Sequence, residues 1–253
     1  MDNGTELRQG RHYDRIQDAY EAHYDDPSSQ LYRRRFLYEP LFGNVSLAGS
    51  QVLEAMSGSG QMTAFLQQRG ASVTGLDISA RAIESYRARW PAAGAVLGSV
   101  LDTGFAAESF DCVAVLGGLH HVHPHVDAAI DEIARILRPG GWFCFGEPHS
   151  GSFPDHLRRA WYRRDPLFEQ GEEAVDIAAM ERAHAGQFDF VWKRFMGNLA
   201  YLLVLNSMVF RVPLRAKPLY APVLTRIEAL LQPLQTRTTS CFALCRWRKH
   251  EAA

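Results

Sequence analysis

Residues 51–62 read QVLEAMSGSGQM, and the fold turns on how this stretch is read. Val52 and Leu53 close a short apolar run of the kind that forms a buried strand. From Met62 to Arg69 the pattern returns to helical spacing, with Ala64, Phe65 and Leu66. The stretch therefore reads strand, tight turn, helix. Gly58 and Gly60 can adopt backbone angles closed to other residues and let a ligand lie against the main chain, with helix N–H groups behind it. The spacing is Met-x-Gly-x-Gly, not the G-x-G-x-x-G of dinucleotide-binding turns. Glu54, at the mouth of the glycines, would repel a pyrophosphate. A ligand with a cationic end and no phosphate there suits the stretch better.

Working outward, SVTGLDIS (72–79) predicts a second strand ending at Asp77, 23 residues after Glu54. This is close to the ~20 residues at which an acid on the next strand end meets ribose hydroxyls in doubly wound nucleotide folds. Further strands are predicted at about 95–99, 111–116 and 141–147, with helices near 61–69, 79–89 and 126–137. Such alternation argues for a mostly parallel sheet with helices on both faces and a ligand crevice beyond the carboxyl ends of the strands.

VLEAMSGSGQMTAFLQQRGASVTGLDIS (52–79), FDCVAVLGGLHHV (110–122) and IARILRPGGWFCFGEP (133–148) resemble, in order and spacing, three successive signatures of class I S-adenosylmethionine-dependent methyltransferases. The resemblance covers about residues 45–148. It implies a seven-stranded Rossmann-like sheet, S-adenosylmethionine as cofactor and S-adenosylhomocysteine as product. It further implies Glu54 near the cationic end of the cofactor, Asp77 on the ribose, and Gly58, Gly60, Ile78, Val100 and Gly117 along the binding crevice. Met56 occupies a place where the family has glycine, so either the loop is displaced or the side chain packs back into the sheet. Ser99 stands where the family usually has an acid bonding the adenine; Asp102, three residues on, is the alternative, against a role in capping a turn.

Candidate catalytic groups follow the fourth and fifth strands. HHVHPHV (120–126) invites a metal reading, but LHHV recurs at this point in the family without metal, and no metal site is expected. His120 or His121 is the candidate general base, because a histidine pKa near neutrality suits proton removal from an acceptor. His123 and His125 read as solvated. Glu147 and His149 face the same crevice and are candidates to orient an acceptor; Glu147 pairing with an arginine of YRRRF (32–36) is the structural alternative. Tyr13, Tyr20 and Tyr24 share a helical face, and Tyr20 and Tyr24 are candidates to cover the sulfonium, against simple packing. Arg33, Arg34 and Arg35 read as a solvated face more readily than as a carboxylate clamp.

The chain of 253 residues divides into an N-terminal helical cap (1–44), the α/β core (45–148), a helical lid or insertion after the fifth strand (149–215), and a C-terminal helix and last strand (216–253) whose pairing the sequence leaves open. Trp161, Tyr162, Phe168, Phe188, Phe190 and Trp192 make the lid aromatic and favour an apolar or aromatic small-molecule acceptor. The run LAYLLVLNSMVF (199–210) is too short to span a membrane. It reads as a core or lid helix, with an interfacial helix aided by Arg211, Arg215 and Lys217 as the alternative. Net charge is −1 and no basic stripe is present, which argues against nucleic acid. Four cysteines without metal spacing and no signal-peptide pattern point to buried thiols in the cytoplasm. The reading is a small-molecule methyltransferase acting on O, N or C. Its alternatives are a lipid-like or prenylated acceptor at a membrane surface, a non-catalytic cofactor-binding relative, and a nicotinamide oxidoreductase.

Overall fold

A computed structural model describes residues 22–162 and 173–251. Its centre is a seven-stranded sheet in the order 3-2-1-4-5-7-6. The strands are β1 (Gln51–Ala55), β2 (Ser72–Asp77), β3 (Gly94–Leu97), β4 (Phe110–Leu116), β5 (Leu137–Pro148), β6 (Phe188–Met196) and β7 (Phe242–Lys249). Strands β1 to β5 pair in parallel. Strand β7 pairs antiparallel with both β5 and β6, so the sheet is mixed.

The helices in chain order are α1 (Pro27–Tyr32), α2 (Glu39–Phe42), α3 (Thr63–Gln68), α4 (Ala80–Arg89), α5 (Val126–Ile136), α6 (Phe153–Tyr162), α7 (Ile177–Ala183) and α8 (Lys217–Leu231). A π-helical turn, Arg33–Tyr38, joins α1 to α2. Among the described residues no helix is long and apolar enough to cross a membrane.

Side chains that alternate along a strand point to opposite faces, and the core divides accordingly. Val52, Cys112, Ala114, Cys144 and Leu244 join the N-terminal helices and α3 on one face. Leu53, Val113, Val115, Phe143, Phe145 and Trp247 join α5 on the other. Both faces of the central strands are thus covered, as parallel strands require. Cys112, Cys144 and Cys245 are buried, Cys241 is half-buried, and all four are free thiols.

The stretch 149–215 departs from a helical lid, because it contains edge strand β6. Phe188 is buried against Trp247, with ring centroids 5.6 Å apart, and Phe190 meets the same indole at 4.8 Å. Together with Trp192 these residues belong to the sheet, not to a cover over the crevice. Tyr13, Tyr20 and Phe168 lie outside the described residues, as do the side chains of Trp161 and Tyr162.

Candidate functional site

The carboxyl ends of β1, β2 and β4 and the turn after β3 converge on an open cleft of about 960 Å³, counted out to its mouth. Of the residues singled out in the sequence, Met56, Gly58, Asp77, Ile78, Ser99, Val100, Gly117 and His121 line it. Arg33, Gln61, Ala82, Leu116, Gly118 and Val122 line it as well.

Asp77 builds one wall. Its Oδ2 accepts from the Gly58 amide (2.8 Å) and its Oδ1 from the Ser79 amide (2.9 Å). Burial raises the Asp77 pKa, opposed by the amides of Ser79, Gly58 and Ile78. A carboxylate offers about four acceptor sites, so these loop amides do not exhaust it. Gly58 has φ of +53°, a left-handed conformation that turns its N–H toward Asp77.

Met56 keeps that same left-handed backbone, with φ of +54°. The loop is therefore not displaced by the missing glycine. The methionine side chain packs against Gly118, where an added Cβ would come within 2.6 Å of the Met56 sulfur and 3.0 Å of Val115. It joins the edge of the core while still lining the cleft.

Glu54 lies outside the cleft. Its carboxyl accepts from the Met62 amide (3.0 Å) and the Thr63 hydroxyl (2.5 Å) and is 3 % exposed. It thus ties β1 to the start of α3 and fixes the glycine loop from behind. Burial raises its pKa to about 7, against the pull of the Thr63 and Met62 bonds. The Thr63 hydroxyl stands 3.0 Å from that of Tyr86, which can donate to it. Gly60 also turns away from the cleft: an added Cβ would meet the Trp90 ring at 2.4 Å. Its small size seats Trp90, whose Nε1 donates to the Ser59 carbonyl (3.0 Å).

Glu147 is fully buried and pairs with none of the arginines of the 32–36 stretch. Its Oε1 accepts from the amides of Gly118 and Leu119 (2.8 Å each), and its Oε2 from the His120 amide (3.3 Å) and ring Nδ1 (2.8 Å). It caps the 3₁₀ turn Leu119–His121 and orients His120. With Nδ1 donating to a carboxyl, the lone pair of the imidazole resides on Nε2. The His120 and His121 rings lie against each other, tilted by 40° with centroids 3.8 Å apart, and His121 lines the cleft.

Three expected site residues are placed elsewhere. His149 is buried with Nε2 at 2.9 Å from the Ser240 hydroxyl, and burial lowers its pKa; it links β5 to the start of β7. Asp102 is exposed in a turn that bridges to Ser99. Tyr24 is buried, its hydroxyl donates to Asn206 (3.1 Å), and its ring face carries the Arg33 guanidinium at 5.3 Å. Of the other histidines of the 120–126 stretch, His125 is exposed and His123 half-buried. Among the described residues no cluster of three or more His, Cys, Asp or Glu could hold a metal ion.

Arg33 is the site residue the sequence reading passed over. It is 7 % exposed, bonds the Tyr38 hydroxyl (3.4 Å) and lines the cleft beside Met56, Gly58 and Gln61. A signal was present. Arg33 shares a helical face with Ser29, Phe36 and Leu37, all buried, whereas Arg34 and Arg35 are exposed.

An open α/β sheet with a cleft at the carboxyl ends of its strands has the architecture of the doubly wound nucleotide-binding folds. Residues 53–145 match the family model described as a methyltransferase domain, and the α/β core is a class I S-adenosylmethionine-dependent methyltransferase domain. The chain is 35 % identical over 119 residues to an uncharacterized methyltransferase of Synechocystis, covering 47 % of this chain and 56 % of that protein. It is 35 % identical over 129 residues to a phthiotriol/phenolphthiotriol dimycocerosates methyltransferase of Mycobacterium tuberculosis, covering 49 % and 46 %. The chain thus spans about half the length of these curated relatives. Its fold is shared with the N-methyltransferase NodS of Bradyrhizobium japonicum, solved with S-adenosylhomocysteine, at a TM-score of 0.56, 18 % identity and 90 % coverage of each chain.

Proposed function

We propose that the chain transfers a methyl group from S-adenosylmethionine to an apolar or aromatic small-molecule acceptor. The observation that carries this reading is that Asp77 and Arg33 both line one cleft, with the Gly58 amide donating to the Asp77 carboxyl. The residues present fit the cofactor. Asp77 has acceptor capacity for the ribose hydroxyls. Ile78, Ala82 and Val100 offer an apolar bed for the base, with Ser99 at its edge. Arg33 presents a guanidinium suited to a carboxylate in a geometry no ammonium group could match. Glu54 and Gly60 serve the site by shaping the loop. When bound, S-adenosylmethionine supplies a methyl already activated on a sulfonium.

What remains for the protein is to align the acceptor and keep water out; alignment alone can contribute ~7 to 11 kcal/mol. Met56, Leu116 and Val122 line the cleft with apolar surface, which suits an apolar acceptor. His121 lines the cleft, and His120, held by Glu147, lies against it; together they are the candidates to take an acceptor proton. In this reading Arg33 brings the described part of the N-terminal segment to the cofactor cleft, and the free thiols suit a reducing cytoplasm.

Calorimetry with S-adenosylhomocysteine tests the reading. The wild-type chain should bind, and Asp77→Ala should weaken binding by about one to two decades, because charge-assisted bonds contribute ~1.5 to 3 kcal/mol. Unchanged affinity in the variant removes Asp77 from the ribose. Binding of NADH in place of the adenosyl ligand overturns the reading altogether.

A further inference from the structure

Helix α8 is amphipathic in the reverse of the usual sense. Its inward face consists of Lys217, Ala221, Thr225 and Glu228, all buried. The polar members are satisfied. The Lys217 ammonium donates to Asp26 (2.5 Å), the His23 carbonyl (2.7 Å) and the Ser29 hydroxyl (2.9 Å). Glu228 accepts from the amides of Asn198 and Ala200 (3.0 Å each) and from the Tyr32 hydroxyl (3.2 Å).

The outward face is apolar. Leu219 is 82 % exposed, Val223 56 %, Leu230 76 %, and Leu234, in the 3₁₀ turn that continues the helix, 72 %. At about 100° per residue these positions and Arg226 fall within roughly a quarter turn of one another. They form a single convex stripe, and at about 1.5 Å per residue it runs for roughly 24 Å. Scattered exposed leucines need no explanation, but a continuous stripe of them marks an interaction surface.

The charges around the stripe say what covers it. Between Gly197 and Cys241 the sole acidic residue is Glu228, and it is buried, whereas Arg211, Arg215 and Arg226 are exposed. Among the described residues of the N-terminal segment, Asp26 is engaged by Lys217 and Asp25 by Arg89. A second copy pairing through the same stripe would press Arg226 against its own counterpart, burying like charges. A convex ridge also has no groove in which a helix could lie. It suits a deformable medium with anionic groups above an apolar layer, where leucines insert and arginine stems extend to place guanidiniums among phosphates.

We propose that the outward face of α8 docks the protein on an anionic lipid surface, with Leu219, Val223, Leu230 and Leu234 in the acyl boundary and Arg215 and Arg226 at the headgroups. The helix packs on α1, whose continuation carries Arg33 into the cleft, so docking would bring the cleft close to the lipid phase. This differs from the sequence reading, which took 199–210 for a core or lid helix and gave an interfacial helix there, with Lys217 beside it, only as the alternative. Lys217 faces inward, and the exposed stripe begins at Leu219.

Flotation of the full chain with vesicles tests the proposal and needs neither cofactor nor acceptor. Binding to vesicles of phosphatidylcholine mixed with phosphatidylglycerol is expected, weakening as salt is raised, with much less binding to phosphatidylcholine alone. Leu219→Ser and Leu230→Ser should each lower affinity by about tenfold. Arg226→Glu should lower it by about one to two decades on the anionic vesicles. All three are surface changes, so unfolding curves should superimpose on the wild type. No binding to anionic vesicles, or binding that the three substitutions leave intact, overturns the proposal. So does a dimer in sedimentation that Leu230→Ser abolishes, since the stripe would then belong to an interface between copies.

Discussion

A carboxyl group enclosed as Glu54 is cannot ionise without leaving water, and its two protein donors replace only part of the lost hydration. Its pKa is raised to about 7 in the folded state, from the usual 4.5. Between those values the unfolded chain has lost the proton and the folded chain retains it, so stability falls as pH rises. The contribution is fully present below the unfolded value and is lost as pH passes through about 7, and it amounts to on the order of 3 kcal/mol. Glu54→Gln keeps an acceptor for the Met62 amide and removes the titration. Denaturation of wild type and variant across pH 4 to 8 should show the wild type losing ground to the variant as pH rises; parallel curves would mean that folding leaves the Glu54 pKa where it is in the unfolded chain. Met56 carries a different lesson at this scale. Its identity departs from the family pattern, yet its backbone takes the conformation a glycine would have, so the sequence marked the anomaly without revealing that φ alone resolves it.

Periodicity made the elements that flank the cleft legible, because β1, β2, β4 and α5 bury one side or both and their apolar residues repeat accordingly. Strand β6 was not legible. Phe188, Phe190 and Trp192 do alternate as a strand requires, but the strand lies at the sheet edge with most of its side chains exposed and its register shifts between Phe190 and Trp192, so those aromatics read equally well as a lid until its pairing with β7 is seen. Arg33 was missed for a related reason: a run of three arginines hides the one that faces inward. Nor could spacing separate Glu147 from His149, both near the end of β5, since only the turn Leu119–His121 distinguishes the carboxyl that holds it from the imidazole that ties down Ser240. That turn is the element to test. Glu147→Gln places an amide N–H where a carboxyl oxygen now accepts, facing either the turn's amides or His120 Nδ1, and each donor left unsatisfied should cost ~1 to 3 kcal/mol in chemical denaturation. If His120 is the base, loss of its oriented tautomer should also lower the single-turnover rate by ~100- to 10,000-fold at saturating cofactor, with the low-pH limb of the profile displaced. A variant that is less stable but turns over normally would confine Glu147 to holding the turn and remove His120 from the chemistry.

Across the whole molecule, the sheet supplies one half of the cleft and the N-terminal segment supplies Arg33, so the site depends on how firmly the two are joined. Part of the joint is polar and is made by residues that do not line the cleft: Lys217, 1 % exposed at the start of α8, reaches Asp26, Ser29 and the His23 carbonyl at the start of α1. Desolvation lowers the Lys217 pKa, and the bond to Asp26 opposes that shift. Lys217→Met keeps the length of the side chain but leaves three acceptors without their donor. With Asp26 partly exposed, the expected loss is roughly 2 to 4 kcal/mol, less than for a fully buried pair. Asp26 also caps α1 through the amides of Ser28 and Ser29, and asparagine can cap equally well. The double variant Lys217→Met/Asp26→Asn should therefore keep the cap, remove the unpaired charge and recover more than half of the lost stability. The same pair reads the coupling to function. Neither residue lines the cleft, so weaker binding of S-adenosylhomocysteine by Lys217→Met, restored in the double variant, would mean that the clasp positions Arg33. Calorimetry that finds full affinity in the single variant despite a lower Tm would sink the coupling and confine the clasp to stability.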